Sequence, residues 1–432
     1  MKKYDEYKDS GVAWIGEVPK HWEVIKTSLA FQGIGSGTTP STSKKEYYDD
    51  NGNGKYWLQT GDLEDGIVYD TSKKVSNIAI KECNLTFYPI DSIIIAMYGA
   101  TIGKVGILGI ESATNQACCV IPVTQKQIAK YFFYEFLACK PALLIAAIGG
   151  GQPNISQDTI KKLKIVIPPI IEQAAIATYL DTHCAKIDNL ISIQQKRIAL
   201  LQELKQSVIT HAVTKGLNPN VEMKQSGVEW IGDVPKHWEV MPLKFTGTFG
   251  NGLTYSPKDV VDNGILVLRS SNIQNSSLSF EDNVYVSKVS RDLLVNKGDI
   301  IICSRNGSAA LVGKSAFVDK ELNATFGAFM MRYIPNIEKK YGFYLFQTAI
   351  GQYKGYFSTT TINQLTKTTI DEIKVPLAMA EEQAAIASYL DHKCATIDTS
   401  ISNAQHQIDL LQEYKQSLIT EVVTGKRKVT DN

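Results

Sequence analysis

Apolar residues recur along this chain in two rhythms. Runs dominated by β-branched residues, from Pro89 to Ile95 and from Lys297 to Ile302, are short, carry Gly, Pro or Asp at their start and read as buried strands, each entering a Gly-containing loop. Two longer segments are spaced by four and three instead. Leu180, Cys184, Ile187, Ile191, Gln194, Ile198, Leu201, Lys205 and Val208 form one seam, and Leu390, Cys394, Ile397, Ile401, Ala404, Ile408, Leu411, Lys415 and Leu418 form the other. Heptad spacing keeps one stripe of a helix facing a partner, so the two helices are predicted to pair as a coiled coil. Pro168 and Pro169 mark the start of the first, and Gly216 and Gly425 mark the two ends. Asp181 and Thr182 have the chemistry of an internal N-cap, so a break is expected there. From Cys184 to Thr210 the unbroken part should run roughly 40 Å at about 1.5 Å per residue. One turn of duplex DNA is about 34 to 36 Å, so such helices suit a ruler between two readers.

The two seams belong to a larger duplication. SGVAWIGEVPKHWEV, starting at Ser10, returns as SGVEWIGDVPKHWEV from Ser226. EQAAIATYLDTHCAKID from Glu172 returns as EQAAIASYLDHKCATID from Glu382, and QELKQSVIT from Gln202 as QEYKQSLIT from Gln412. Each half is therefore ordered as opening motif, variable domain, helix. Between these echoes the halves share only a skeleton of strands, glycines and turns. A repeated frame with two unlike heads suits recognition of two unlike things at a fixed separation. The opening motif of one half is expected to pack near the helix end of the other, giving a pseudo-two-fold, nearly circular arrangement. The expected fold class is α+β, with two α/β domains at 1–167 and 217–375 separated by helical regions at 168–216 and 376–432.

Composition narrows the setting. At 432 residues the chain is long enough for two domains with connectors. A charged fraction of 21% and a net charge of +1 neither demand nor exclude a nucleic-acid partner, because a basic face can sit on a neutral protein. Seven cysteines without a Cys-x-x-Cys pair argue against a disulfide framework and a zinc site. The acid-bearing N-terminus lacks the apolar region of a secretory signal. The stretch Ala142 to Ile148 is too short to span a bilayer, so a cytoplasmic location is expected.

No catalytic constellation emerges. Gly99-Ala100-Thr101-Ile102-Gly103-Lys104-Val105 imitates a phosphate loop but has three residues between its glycines where four are needed, and Val105 replaces the metal-binding hydroxyl. Gly307 to Gly313-Lys314-Ser315 has five intervening residues, with Ser308 at the required glycine position. Gly33-Ile34-Gly35-Ser36-Gly37 leads into Thr38, Thr39 and Pro40 and reads as a loop. No Asn-Pro-Pro-aromatic or Asp-Pro-Pro-aromatic run of an amino-methyltransferase occurs, and Glu203-Leu204-Lys205 sits on the helix seam. His21 and His237, beside Trp22 and Trp238 in the opening motifs, read as packing or capping residues. No enzymatic activity is expected of the chain.

The doubled opening motif, together with IVIPPIIEQAAIATYLD from Ile165 and VPLAMAEEQAAIASYLD from Val375, resembles the specificity subunits of type I restriction-modification systems over essentially the whole chain and in the same order. The resemblance implies two DNA target-recognition domains on a spacer of two long antiparallel helices. It also implies recognition of a split, asymmetric duplex DNA target and docking of two DNA adenine-methyltransferase subunits, to which restriction motor-nuclease subunits add. S-adenosylmethionine, ATP and magnesium would then belong to those partners, with no cofactor or metal in this chain. One departure is Ala378-Met379-Ala380, where the family has a Pro-rich turn like Pro168-Pro169, so the second junction is expected to be looser. The rival reading is a coiled-coil scaffold carrying two protein-binding domains and touching no DNA.

Base-reading residues are expected at strand ends, reaching the major groove, where every base pair is distinguishable. In the second domain Arg269, Ser270 and Asn272 follow one apolar strand and Arg305 and Asn306 another; in the first the equivalent places hold Gln59, Thr60, Tyr98 and Lys104. No arginine occurs before Arg197. The first half-site is thus expected to rely on Gln, Asn, Lys and Tyr contacts, and the second on Arg269 or Arg305 to guanine. A salt bridge or a phosphate contact is the competing role for each arginine. Lys44, Lys45 and Lys314 are candidates for phosphate contact, though a solvated surface is the commoner fate of such lysines.

Overall fold

The computed structural model describes residues 2–49, 53–147, 154–353 and 364–429. The chain divides into two units. Unit one combines residues 1–195 with 406–432, and unit two is 196–405. Each long helix therefore contributes its two ends to different units, the division falling inside the helix and not at its termini.

In unit one a five-stranded sheet runs in the order Gly35–Ser36, Cys118–Ile121, Ile93–Ala96, Val105–Leu108, Gly66–Val68, beside a four-stranded sheet ordered Lys73–Val75, Lys55–Leu58, Ser112–Thr114, Phe87–Tyr88. The central strand explains its own composition. Ile93 and Ile95 point into a core shared with the helix Ala129–Ile145, while Ile94 and Ala96 point into a second core with Leu58 and Leu108. Burial on both faces removes the polar alternation of a half-exposed strand. The segment from Pro89 to Ser92 is not strand as expected: it is a turn, with Asp91 at φ 69° and the Ser92 N–H donating to the Pro89 carbonyl at 3.2 Å.

Unit two repeats the plan. One sheet is ordered Gly247–Asn251, Met330–Pro335, Ile300–Cys303, Ser315–Phe317, and the other Val260–Val261, Tyr285–Val286, Ile265–Leu268, Ala324–Phe326. Ile300 and Ile302 face the helix Lys339–Tyr353, and Ile301 and Cys303 face the second sheet.

The long helices span Ile170–Lys215 and Ala380–Val423. Neither is broken. At about 1.5 Å per residue the first is roughly 69 Å long. The expected cap at Asp181 and Thr182 does not form: the Thr182 hydroxyl donates to the Thr178 carbonyl at 2.9 Å, one turn back within the helix, and Asp181 accepts instead from Lys130 and Tyr134. Tertiary partners remove the reason for a break.

The seams face inward. In unit one Ile187 and Ile191 pack with Leu411 and Leu418. In unit two Val208 packs in the core that holds Leu390 and Cys394. Ile397, Ala404 and Ile408 are buried, and Ile198, Leu201 and Ile401 are half-buried. Off the seam, Leu190, Ile193, Leu200 and Leu204 are exposed. The seam lysines close matching ion pairs, Lys415 to Asp188 at 2.6 Å in unit one and Lys205 to Asp398 at 2.7 Å in unit two. In both, an early residue of one helix meets a late residue of the other, so the helices pair antiparallel.

Each opening motif is pinned to a helix start. Trp22 is fully buried, and its indole N–H donates to Glu172 Oε2 at 3.1 Å, which also accepts from Tyr4 at 2.9 Å; His21 Nε2 lies 2.7 Å from Glu172 Oε1. Trp238 and His237 hold Glu382 in the same way, at 2.8 and 3.0 Å. A carboxylate in the first turn also suits the positive end of the helix dipole. The opposite helix ends arrive at the same motifs. Tyr7 donates to the Gly425 carbonyl at 3.0 Å, and Gly216 lies beside Trp238.

The second junction is not looser. Gln383 donates to the Ala378 carbonyl at 2.7 Å, as Gln173 does to Pro168 at 2.8 Å. Ala378 adds a bond that proline cannot make, its N–H donating to Tyr341 Oη at 3.2 Å.

Candidate nucleic-acid interface

The predicted contact residues lie on a loop cluster built twice from the same backbone bonds. In unit one the strand Lys55–Leu58 ends in a turn closed by the Gln59 N–H donating to Asp62 Oδ2 at 2.8 Å; in unit two Ile265–Leu268 ends in a turn closed by the Arg269 N–H donating to Asn272 Oδ1 at 2.9 Å. A second loop joins them. The Asn115 N–H donates to the Leu58 carbonyl at 2.9 Å and Met97 N–H to Ala117 at 2.8 Å; their counterparts are Gly327 N–H to Leu268 at 3.0 Å and Ser304 N–H to Phe329 at 3.0 Å. These bonds bring Gln59 and Tyr98 to one end of unit one, and Arg269 and Arg305 to the corresponding end of unit two.

Lys104 and Lys314 close the third loop. The Ala96 N–H donates to the Lys104 carbonyl and the Cys303 N–H to Lys314, at 2.9 and 2.8 Å, so each phosphate-loop look-alike is a connection between antiparallel strands, with Gly103 and Gly313 at φ +75° and +82°. A phosphate cradle needs a helix N-terminus after the loop. Here a strand follows.

The frame is shared, but the side chains on it are not. In unit one Gln59, Thr60, Tyr98 and Lys104 are all partly exposed, and Tyr98 donates to the Gln116 carbonyl at 3.0 Å. Gln116 also pairs with Thr39. In unit two Arg269, Ser270, Arg305 and Asn306 line one cleft of about 1000 Å³, with Tyr255 and Phe329 on its walls. Asp282 is held below the usual carboxylate range by a Ser271 hydrogen bond and by the Arg269 guanidinium, which it meets at 2.7 Å. Asn306 donates to Ser270 Oγ at 3.3 Å, and Lys314 Nζ lies 3.5 Å from the Ser270 carbonyl.

One sequence-based assignment changes. Asn272 is fully buried and its polar atoms are occupied, Oδ1 by the Arg269 N–H and Nδ2 by the Ser279 and Asp282 carbonyls at 3.0 Å each, so it shapes the turn and offers nothing to a base. Lys44 is engaged with Tyr47 and Glu82. Sequence reasoning missed the turns Asn115–Ala117 and Gly327–Phe329, which carry Gln116 and the exposed Phe329. The signal was faint: the strands before them, Ser112–Thr114 and Ala324–Phe326, are three residues long and carry Ser or Thr, so they do not read as apolar runs.

The chain matches the type I restriction modification DNA specificity domain at residues 19–203 and again at 235–408. It is 26% identical over 438 residues to the type I restriction enzyme MjaVIII specificity subunit of Methanocaldococcus jannaschii, a match covering 95% of this chain and 94% of that protein. It is 28% identical over 205 residues to the EcoKI specificity subunit of Escherichia coli, covering 45% and 44%. Its fold is similar to that of a chain solved in work on complex assembly and conformational transition of the type I R-M system, with a TM-score of 0.71 and 14% identity over 94% of this chain and 98% of that one. With the family's domain occurring once in each half and the same loop frame built in each unit, the chain belongs to the type I restriction-modification specificity subunits.

Proposed function

We propose that the chain reads a bipartite, asymmetric duplex DNA target, one half-site with each unit, and carries no catalytic centre of its own. The observation that supports this most is the doubled loop frame: the same backbone bonds present Gln59, Thr60, Tyr98 and Lys104 in one unit and Arg269, Ser270, Arg305 and Lys314 in the other. Phosphate contacts position a protein on DNA, and side chains at base edges specify the sequence. A constant frame with exchangeable side chains separates those two tasks. Gln59 and Gln116 have amides suited to adenine, and the arginines of unit two have forks suited to guanine. Lys104 and Lys314 would meet phosphates. Two adenine-methyltransferase subunits dock on the chain and restriction subunits join them, in a cytoplasmic complex where S-adenosylmethionine, ATP and magnesium are held by those partners.

The test is to map methylated adenines genome-wide in cells carrying the chain with its methyltransferase, before and after exchanging residues 243–373 for the same segment of a different specificity subunit. One half of the motif should change and the other persist. Methylation without any bipartite motif, or a motif indifferent to the exchange, would refute the reading. A scaffold that touches no DNA would also fail to retain duplex DNA in a salt-sensitive, sequence-selective way.

A further inference from the structure

The polar side chains gathered at the cleft of unit two are not equally free. Arg269 meets Asp282 twice, Nη2 standing 2.7 Å from the carboxylate and 3.2 Å from the carbonyl. Asn272 is enclosed. Asn306 bonds Ser270, and its Oδ1 accepts the Ser308 N–H at 3.0 Å. Arg305 differs from all of these. Its guanidinium lies over the ring of Phe329, 5.3 Å from the centroid, and its side chain has no hydrogen-bond or ion-pair partner among the described residues.

A cation–π contact holds a guanidinium by its face, which leaves the N–H fork at its edge available. Two parallel N–H donors in a plane match the O6 and N7 acceptors of guanine, the commonest specific contact in the major groove. Leu253, Val260 and Met330 give the same cleft apolar walls, and hydrogen bonds made against a poorly solvated wall are strengthened. Arg305 and Phe329 are also locked together through the backbone, the Arg305 N–H donating to the Phe329 carbonyl at 3.2 Å. In unit one the equivalent slots hold Tyr98 and Ala117, so the pair exists only in the second half.

We propose that Arg305 reads a guanine in the second half-site, with Phe329 as the positioning residue and Arg269 fixed in the cleft wall by Asp282. The inference rests on the DNA-reading function proposed above and names the chemistry of one of its contacts.

The test is selection from a randomised duplex pool by the chain in complex with its methyltransferase, comparing wild type with Arg305→Lys, Arg305→Ala, Phe329→Ala and Phe329→Tyr. Wild type should select a bipartite motif with at least one G·C pair in the half assigned to unit two. Arg305→Lys keeps the charge but loses the fork, so discrimination of about 5- to 150-fold should collapse at that one pair. Phe329→Ala should relax the same pair, and Phe329→Tyr should keep it. These ratios between bases do not depend on the fraction of folded protein. A wild-type pool without a bipartite motif refutes the DNA-reading function itself. A bipartite motif with no G·C pair in that half, or one that Arg305→Lys leaves intact, overturns the assignment of Arg305 alone. Uniform weakening by Arg305→Ala with Lys as full rescue would make Arg305 a phosphate contact and overturn it as well. Selectivity untouched in Phe329→Ala overturns the positioning role.

Discussion

Glu135 lies in the helix Ala129–Ile145 with its side chain fully buried, where unit two has Leu345. Burial pushes its carboxyl up to about 8, although the Val166 N–H at 2.8 Å and the Tyr131 hydroxyl favour the charged form. The native state thus keeps a proton that the unfolded chain releases near the ordinary value of 4.5. Stability from this group is complete below that value and falls as pH rises, by about 1.4 kcal/mol per pH unit, levelling off once the buried group ionises. The loss at pH 8 and above is about 5 kcal/mol. Glu135→Gln keeps an acceptor for the Val166 N–H without an ionisable group, and the Tyr131 hydroxyl retains the Val166 carbonyl as its acceptor. Calorimetry of the full chain and the variant from pH 5 to 9 should show the Gln protein gaining over wild type with each pH unit up to about 8 and little beyond, reaching roughly 10 °C at the alkaline end. Taking the difference cancels every other titrating group. A gap that stays constant across this range would show that Glu135 is ionised throughout and refute the reasoning. Glu135→Leu is the poorer probe, because the Val166 N–H would lose its acceptor at a cost of about 1–3 kcal/mol.

Other substitutions test the frame. Glu172→Ala removes the acceptor of the buried Trp22 indole and should destabilise unit one by about 2 kcal/mol in chemical denaturation, with Trp22 fluorescence reporting the loosened opening motif. Gly425 has φ +74°, and a Cβ there would collide with Pro19 and Trp22, so Gly425→Ala should cost more than the roughly 1 kcal/mol of a strained turn alone, read as a lowered melting temperature. Leu418→Ala should cost about 2–5 kcal/mol while Leu410→Ala, off the seam, costs under about 0.5, both by denaturant titration. Asn272→Ala takes the partner from the Ser279 carbonyl and the Arg269 N–H and leaves the Asp282 carbonyl only the Arg269 guanidinium, so it should lower the melting temperature of unit two, whereas altering a base-reading residue would change selectivity and leave the melting temperature alone.

Sequence alone determined the features that repeat or alternate. Two copies of an opening motif and of a helix start revealed the duplication without coordinates, and the four-three spacing from Leu180 to Val208 identified the buried stripe because a helix converts spacing directly into direction. The strand-end rule likewise located Gln59, Tyr98, Arg269 and Arg305, since a buried strand must surface where it stops. Tertiary structure decided whatever depended on a distant partner. Asp181 reads as a cap until Lys130 and Tyr134 are seen to hold it, and Asn272 reads as a base contact until two carbonyls seven and ten residues away occupy its amide. Ala378 looks weaker than proline until Tyr341 accepts its N–H. The pairing of Arg269 with Asp282, and of Arg305 with Phe329, was equally hidden, because a hydrogen bond depends on positions in space and those partners are brought together only by the folded sheets.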